Sequence, residues 1–240
     1  MKDGLAVQSL SERAFGTTPY VLPERCPVCG APVSRDLDGA AVRCTGAECP
    51  AQLLRNLVHF VSRDAMDIEG VGPAVLQQMI ETEMVRSPAD LYYLREEDVA
   101  NLERMGKKSA RNAMEAIEKS KENDLSRLLY ALGIRQVGAK AGHVLAAHFK
   151  SFEALSASGL DELTEIPDIG PITAQFILDW LGSAQSQHLI GRLKAAGVNM
   201  DYLEKQVNST FECMTFVLTG TLQKFTRQEA GKLVEERGGK

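Results

Sequence analysis

The sequence lacks the long apolar segments that a membrane span or a secretion signal needs. No run approaches the ~20 apolar residues of a transmembrane helix. The opening residues Met1 to Gly4 also lack the apolar stretch of a signal peptide. Aromatic residues are scarce at 6%, yet 44% of the 240 residues are apolar, so a core can form. We therefore expect a cytoplasmic protein made of one or two ordinary domains or several small modules.

A surplus of positive charge is missing as well. The 27 Lys and Arg residues stand against 32 Asp and Glu, for a net charge of −5, which argues against indiscriminate coating of nucleic acid but leaves room for a local basic face. Residues 101–150 hold ten Lys or Arg and five Asp or Glu, whereas residues 151–205 hold three and eight. Any contact with an anionic polymer is therefore expected from the middle of the chain.

Cysteines are few, but four of the five lie close together in the pattern C-x2-C-x14-C-x4-C. In a reducing compartment such a cluster more often holds a metal than disulfides, although four unrelated thiols are the alternative. Two close pairs joined by a loop can supply the tetrahedral ligands of zinc, and four thiolates leave no open position for catalysis. The pattern predicts a structural zinc site with the ligands Cys26, Cys29, Cys44 and Cys49. The fifth cysteine, Cys213, is expected to be a small residue in a strand.

The chain after residue 60 repeats a glycine pattern. Glycines at 72, 106, 138 and 170 recur at intervals of 34, 32 and 32 residues. Each has aliphatic residues four and one positions before it, and small or apolar residues four, seven and eight positions after it. The later spacing is that of one helix face. Each unit is therefore predicted to be a helix, a tight hairpin and a second helix, and the units are expected to pack together.

The hairpin glycine has two possible meanings. It could only permit a positive φ, or its missing side chain could let a phosphate approach the N–H groups at the start of the next helix. Four glycines in register, two with cations close by, favour phosphate binding. The first and fourth hairpins have Pro73 and Pro171 after the glycine, without charge, so the middle hairpins are expected to carry more contacts. The candidate DNA contacts are Gly70, Gly72, Gly106, Lys107, Lys108, Arg111, Arg135, Gly138, Lys140 and Gly170.

Repeated helix–hairpin–helix units that follow a four-cysteine module resemble the C-terminal half of bacterial NAD-dependent DNA ligases. The similarity covers roughly residues 20 to 240. It also explains the end of the chain, where residues 216–222 and the amphipathic run from Arg227 resemble the first strand and helix of a BRCT domain. Three further segments that carry the resemblance are 57–68, 102–110 and 129–135.

The resemblance implies a mainly α fold, with tandem helix–hairpin–helix repeats between a small four-cysteine zinc module and an incomplete α/β BRCT segment. We expect residues 1–22 to be a linker or a remnant of an OB-fold, and residues 23–58 to form the zinc finger. Residues 59–205 are expected to form the four-repeat DNA-binding domain, and residues 206–240 a linker and a truncated BRCT domain.

Ligases of this family seal nicks in duplex DNA after adenylating a lysine in a Lys-x-Asp-Gly motif, with NAD as the AMP donor. No such motif stands in a suitable setting here, so NAD is expected to have no site and the chain to be inactive in ligation alone. The expected partners are duplex DNA, nicked above all, and the adenylation and OB-fold domains, with the chain a monomer at the nucleoid. The alternatives are a separate zinc and helix–hairpin–helix DNA-binding adaptor of a repair complex and, less well matched by the cysteine spacing, a subunit of an excision nuclease.

Overall fold

The computed structural model describes residues 23–35, 42–46, 49–203, 211, 214–217, 220 and 225–235. Within these residues the fold is mainly helical, as predicted. The helices are α1 (Leu53–Val61), α2 (Pro73–Glu81), α3 (Glu96–Ala100), α4 (Lys107–Ser120), α5 (Leu125–Ala131), α6 (Ala139–Phe149), α7 (Phe152–Ala157), α8 (Leu160–Glu165), α9 (Pro171–Leu181), α10 (Ala184–Ala195) and α11 (Arg227–Glu235). Short 3-10 turns cover Pro50–Gln52 and Pro88–Tyr93.

The strands of the described residues form one small antiparallel hairpin in the cysteine module. β1 (Val33–Arg35) pairs with β2 (Val42–Cys44), with Val33 opposite Cys44. Two strands of three residues are marginal alone in water. A metal held by the four cysteines would therefore add the stability that this module cannot draw from its own small core.

The predicted helix–hairpin–helix units are confirmed. The helix pairs are α1 with α2, α3 with α4, α5 with α6, and α8 with α9. In every pair the repeated glycine is the N-cap of the second helix. The helix face predicted from the spacing is the buried one: Ala110 and Ala113 of α4, for example, are fully buried, as are Ala174 and Ile177 of α9.

One continuous hydrophobic cluster joins the units, because no short helix pair can bury its apolar face alone. The cluster extends from Leu53 in α1 to Val198 after α10. At the crossing of α5 and α6, a Cβ atom on Gly142 would lie 2.9 Å from the Ser126 carbonyl oxygen. Glycine at this position lets the two helix backbones approach closely.

A polar contact ties the last helices to the first repeats. Arg192 in α10 donates through Nη1 to Asp90 Oδ1 at 2.6 Å, and the Tyr93 hydroxyl donates to the Arg192 carbonyl at 3.0 Å. Asp90 also accepts from the backbone N–H groups of Arg86 and Ser87. The pair is largely shielded, with 18% of the Asp90 side chain exposed. This contact fixes α10 against the 3-10 turn that follows α2.

The boundary expected between residues 58 and 59 lies within α1, which runs unbroken from the zinc module into the first hairpin unit, and the domain bounds stay a prediction. The BRCT segment is not confirmed: Phe216 and Val217 lie outside any strand, and the described residues contain little strand. Helix α11 does form at the expected place, while Cys213 and residues 1–22 lie outside the described residues. In the described part of the chain, no helix is long and apolar enough to cross a membrane.

Candidate metal centre and nucleic-acid interface

The four predicted zinc ligands converge on one point. The Sγ atoms of Cys26, Cys29, Cys44 and Cys49 all lie within 4.8 Å of one another. The distance is 3.8 Å between Cys26 and Cys49 and 3.3 Å between Cys29 and Cys44. A tetrahedral ion with Zn–S bonds of about 2.3 Å needs sulfur atoms about 3.8 Å apart. The donor set therefore fits a structural zinc ion, and the sequence prediction is confirmed.

Tight backbone turns surround the four sulfur atoms. Gly30 adopts a φ of +71°, which closes the turn after Cys29 and lets its N–H donate to the Cys26 carbonyl at 2.9 Å. The Gly46 N–H donates to Cys44 Sγ at 3.2 Å. Backbone N–H groups of Val28 and Cys29 also donate to Cys26 Sγ. The thiolates therefore keep hydrogen-bond donors around them once a metal has displaced their protons.

The thiols of Cys26, Cys44 and Cys49 differ in acidity. Backbone N–H groups of Cys29 and Val28 lower the pKa of Cys26 to about 7. Burial raises the pKa of Cys44 and Cys49 above the usual thiol value. Four thiolates cannot share this space without a cation, so metal binding here releases protons and weakens as the pH falls.

The zinc finger is joined to the helical repeats through α1. Gln52 Nε2 donates to the Cys44 carbonyl at 3.3 Å, at the turn that leads from the last ligand into this helix. At the other end of α1, His59 Nε2 lies 2.8 Å from the Tyr130 carbonyl oxygen, and the two rings make an edge contact. The metal module is thus anchored beside the third hairpin.

The four hairpin glycines do not have the positive φ that one interpretation required. Their φ values lie between −81° and −93°, in extended backbone that other residues also adopt. A Cβ atom on any of the four would meet no atom within 4 Å. Neither backbone strain nor internal packing therefore requires glycine at these positions. What their missing side chains do leave is open space at the exposed starts of these helices.

The left-handed residue of each hairpin stands two positions earlier. It is Gly70, Arg104, Gln136 and Asp168 in the four units, with φ between 64° and 82°. The left-handed conformation therefore explains why a glycine stands at position 70. Three of the four units place a residue other than glycine in this conformation, so composition alone gave no sign of it.

The helices that follow the hairpins start without a side-chain cap. By contrast, Asp124, Ser151 and Ser183 cap α5, α7 and α10 by accepting hydrogen bonds from N–H groups of the first turn. The first N–H groups of any helix lack intrahelical partners, and they attract anions. The chain thus fills these positions with a side chain at these three helices, whereas the hairpin helices, like α1, α3 and α8, start without a side-chain cap.

The predicted cations of the second hairpin are available for contact. Lys107 and Lys108, the first residues of α4, are exposed. Arg111 lies one turn further and its Nε is 3.9 Å from Glu96 Oε1, with 68% of the Arg111 side chain exposed. Exposed pairs of this kind are weak, so Arg111 is readily shared with another anion.

The cations of the third hairpin are engaged within the protein. Arg135 is half-buried, donates through Nη1 to Ser34 Oγ at 2.9 Å and lies over the Phe176 ring. It therefore joins the zinc finger to α9. Lys140 Nζ lies 2.7 Å from Asp168 Oδ2 of the fourth hairpin. Both arrangements involve residues far apart in the chain.

One cation that the sequence analysis did not single out belongs with this surface. Arg104 is the left-handed residue of the second hairpin, and 92% of its side chain is exposed. Its position in front of Gly106 places it beside Lys107 on the same hairpin. An alignment of the residues two positions before each glycine would have found it.

Comparison with known families matches most of this architecture. Residues 25–51 match the NAD-dependent DNA ligase C4 zinc finger domain. Residues 62–119 match the SAM-like helix-hairpin-helix tandem, and residues 127–190 match the helix-hairpin-helix motif. The first match contains all four cysteines, and the other two contain the four hairpin glycines.

Curated relatives are similar over almost the whole chain. A DNA ligase of Thermoanaerobacter sp. (strain X514) is 50% identical over 230 residues, which are 95% of this chain and 35% of that protein. A DNA ligase of Carboxydothermus hydrogenoformans is 50% identical over 235 residues, 98% of this chain and 35% of that protein. The chain thus spans about a third of the length of these relatives. It carries the zinc finger and helix–hairpin–helix domains of the NAD-dependent DNA ligase family and matches the C-terminal half of its members.

Proposed function

We propose that this chain is the DNA-binding portion of an NAD-dependent DNA ligase and that it grips the phosphate backbone of duplex DNA without regard to sequence. The observation that carries the proposal is the set of four helix starts at which glycine leaves open space that the fold itself does not need. Phosphate oxygens would accept hydrogen bonds from the N–H groups there. Contacts of this kind position a protein on DNA but do not read bases.

The hairpins would contribute unequally. The second offers Arg104, Lys107 and Lys108, all exposed, and we assign it the largest electrostatic share. The third offers the open Gly138 and Lys140, while the first and fourth offer backbone N–H groups without a cation after the glycine. The zinc finger holds α1 and, through Arg135, the third hairpin in place.

In the whole ligase this portion would hold nicked duplex in the cytoplasm, at the nucleoid, while adenylation and OB-fold domains carry out sealing with NAD as the AMP donor. We propose that the chain acts as a monomer in this role. The zinc finger would have no catalytic part, because its four thiolates complete the coordination of the metal.

Charge removal at the second hairpin tests the proposal. A Lys107→Gln, Lys108→Gln double variant should bind several unrelated duplexes more weakly and to the same extent. Its log–log salt slope should fall by up to about 1.8, at ~0.9 for each lost phosphate contact. The matched control is Lys119→Gln with Lys194→Gln, which removes two exposed lysines from the ends of α4 and α10.

If the test and control variants lose DNA affinity equally, net charge alone explains the loss, and the assignment of the second hairpin is overturned. A loss confined to one DNA sequence would contradict the backbone grip. Competition between nicked and intact duplex of one sequence, measured on the same proteins, tests the preference for a nick.

A further inference from the structure

The four hairpins carry different charges at one equivalent position. The left-handed residue two positions before the glycine is Gly70, Arg104, Gln136 and Asp168 in turn. At the second hairpin this position is cationic and almost fully exposed. At the fourth it is a carboxylate, on the surface where phosphates are expected to approach.

That carboxylate is turned toward the neighbouring hairpin. Asp168 Oδ2 lies 2.7 Å from Lys140 Nζ, which belongs to the first turn of α6 in the third unit. The side chains are 56% and 80% exposed, so water surrounds the pair. A pair as exposed as this adds little to folding stability. Its geometry is nevertheless that of a lysine holding an oxyanion.

We propose that Asp168 is an intramolecular competitor of DNA: its carboxylate occupies the lysine that would otherwise bind a phosphate at the third hairpin. Lys140 follows the open Gly138 by two residues, so a phosphate at the start of α6 lies within its reach. Asp168 both holds this lysine and repels a phosphate by its own charge. The ion pair thereby limits affinity and lets the third hairpin release the backbone quickly. The inference rests on the proposed function, since it concerns the strength of that same grip.

The test removes the charge without disturbing the turn. Asn tolerates the left-handed backbone at least as well as Asp, so Asp168→Asn keeps the hairpin conformation. At about 50 mM salt the variant should bind duplex DNA about threefold or more tightly than the parent chain, and the gain should shrink as salt screens it. The control Asp161→Asn removes the same charge from an exposed position of α8 in the same unit.

A double-mutant cycle separates the ion pair from general repulsion. In a Lys140→Gln background, Asp168→Asn should lose most of its effect, because there is no lysine left to release. A gain of the same size with Lys140→Gln, or no larger than that of Asp161→Asn, would overturn the proposal while leaving the backbone grip intact. If neither the parent chain nor any variant bound duplex DNA, the proposed function would fail, and this inference with it.

Discussion

Substitution of a hairpin glycine separates what the fold needs from what DNA binding needs. In Gly138→Val the new side chain enters open space, and the φ of −83° suits valine. The free energy of unfolding should therefore fall by no more than about 1 kcal/mol, the difference between a glycine and an apolar N-cap. A phosphate, however, could no longer reach the N–H groups at the start of α6.

The loss of DNA affinity can be estimated from those groups. Hydrogen bonds to a charged acceptor contribute about 1.5–3 kcal/mol each, so the loss of one corresponds to about tenfold to a hundredfold in Kd. Gly170→Val, at a hairpin that has Asp168 and no cation after its glycine, should cost no more than about threefold. Fluorescence anisotropy on a labelled duplex measures both, and circular dichroism melts measure the folded fraction.

A matched control comes from a glycine outside the hairpins. Gly159 is the N-cap of α8, has a φ of −105° and also faces open space. Gly159→Val should thus change stability like Gly138→Val but leave DNA affinity alone. Equal affinity losses for the substitutions at 138 and 170 would refute the unequal division among hairpins, and an unchanged Kd for both would refute the role of the open glycines.

Three further predictions concern stability and metal binding. Gly142→Ala should lower the free energy of unfolding by about 1–3 kcal/mol in thermal melts, because its Cβ would lie 2.9 Å from the Ser126 carbonyl oxygen. The parent chain should contain one zinc ion by elemental analysis, and Cys44→Ser should lose that ion together with order in the finger. Burial alone would raise the pKa of Asp90, but the hydrogen bond and charge of Arg192, with backbone N–H groups, outweigh it and lower that pKa. The stabilisation from Asp90 should be complete above about pH 4 and be lost as the pH falls through the lowered pKa, and Asp90→Asn should flatten this acid dependence of the melting temperature.

An unchanged melting temperature for Gly142→Ala would mean that α5 and α6 can move apart freely. Freshly purified, reduced protein without zinc would contradict the assignment of the metal centre. If the acid dependence of the melting temperature survives in Asp90→Asn, that dependence comes from other carboxylates.

Local pattern in the sequence was enough to predict the repeats and the metal ligands. The apolar spacing after each glycine identified buried positions such as Ile177, and the cysteine spacing identified a cluster that closes in the structure. Both features depend on residues that are near one another in the chain. Helical periodicity and ligand spacing are therefore read directly from sequence.

The side-chain contacts between repeats could not be predicted from local sequence patterns. Arg135, a predicted DNA contact, donates to Ser34, which lies 101 residues earlier in the chain. The pairing of Lys140 with Asp168 also depends on how two units pack. Spacing alone cannot report such contacts, because tertiary packing decides which exposed charges meet.

The backbone conformation of the hairpins is a second feature in which the structure differs from the sequence prediction. One interpretation of the sequence gave the repeated glycine a positive φ, whereas the structure puts that conformation two residues earlier, on Arg104 in the second unit. Arg104 and Gln136 are residue types that carry no compositional signal of this conformation. Glycine at the helix starts thus has no conformational reason, and this favours phosphate binding there.

The most direct test of the central claim is the salt dependence of binding to several duplexes of unrelated sequence, each intact and nicked, by fluorescence anisotropy. A grip on the phosphate backbone predicts the same Kd for all intact sequences at a given salt concentration, and a steep linear fall of log K with log salt, with ~0.9 for each phosphate neutralised. Affinities that differ among the sequences, or binding that ignores salt, would contradict the account.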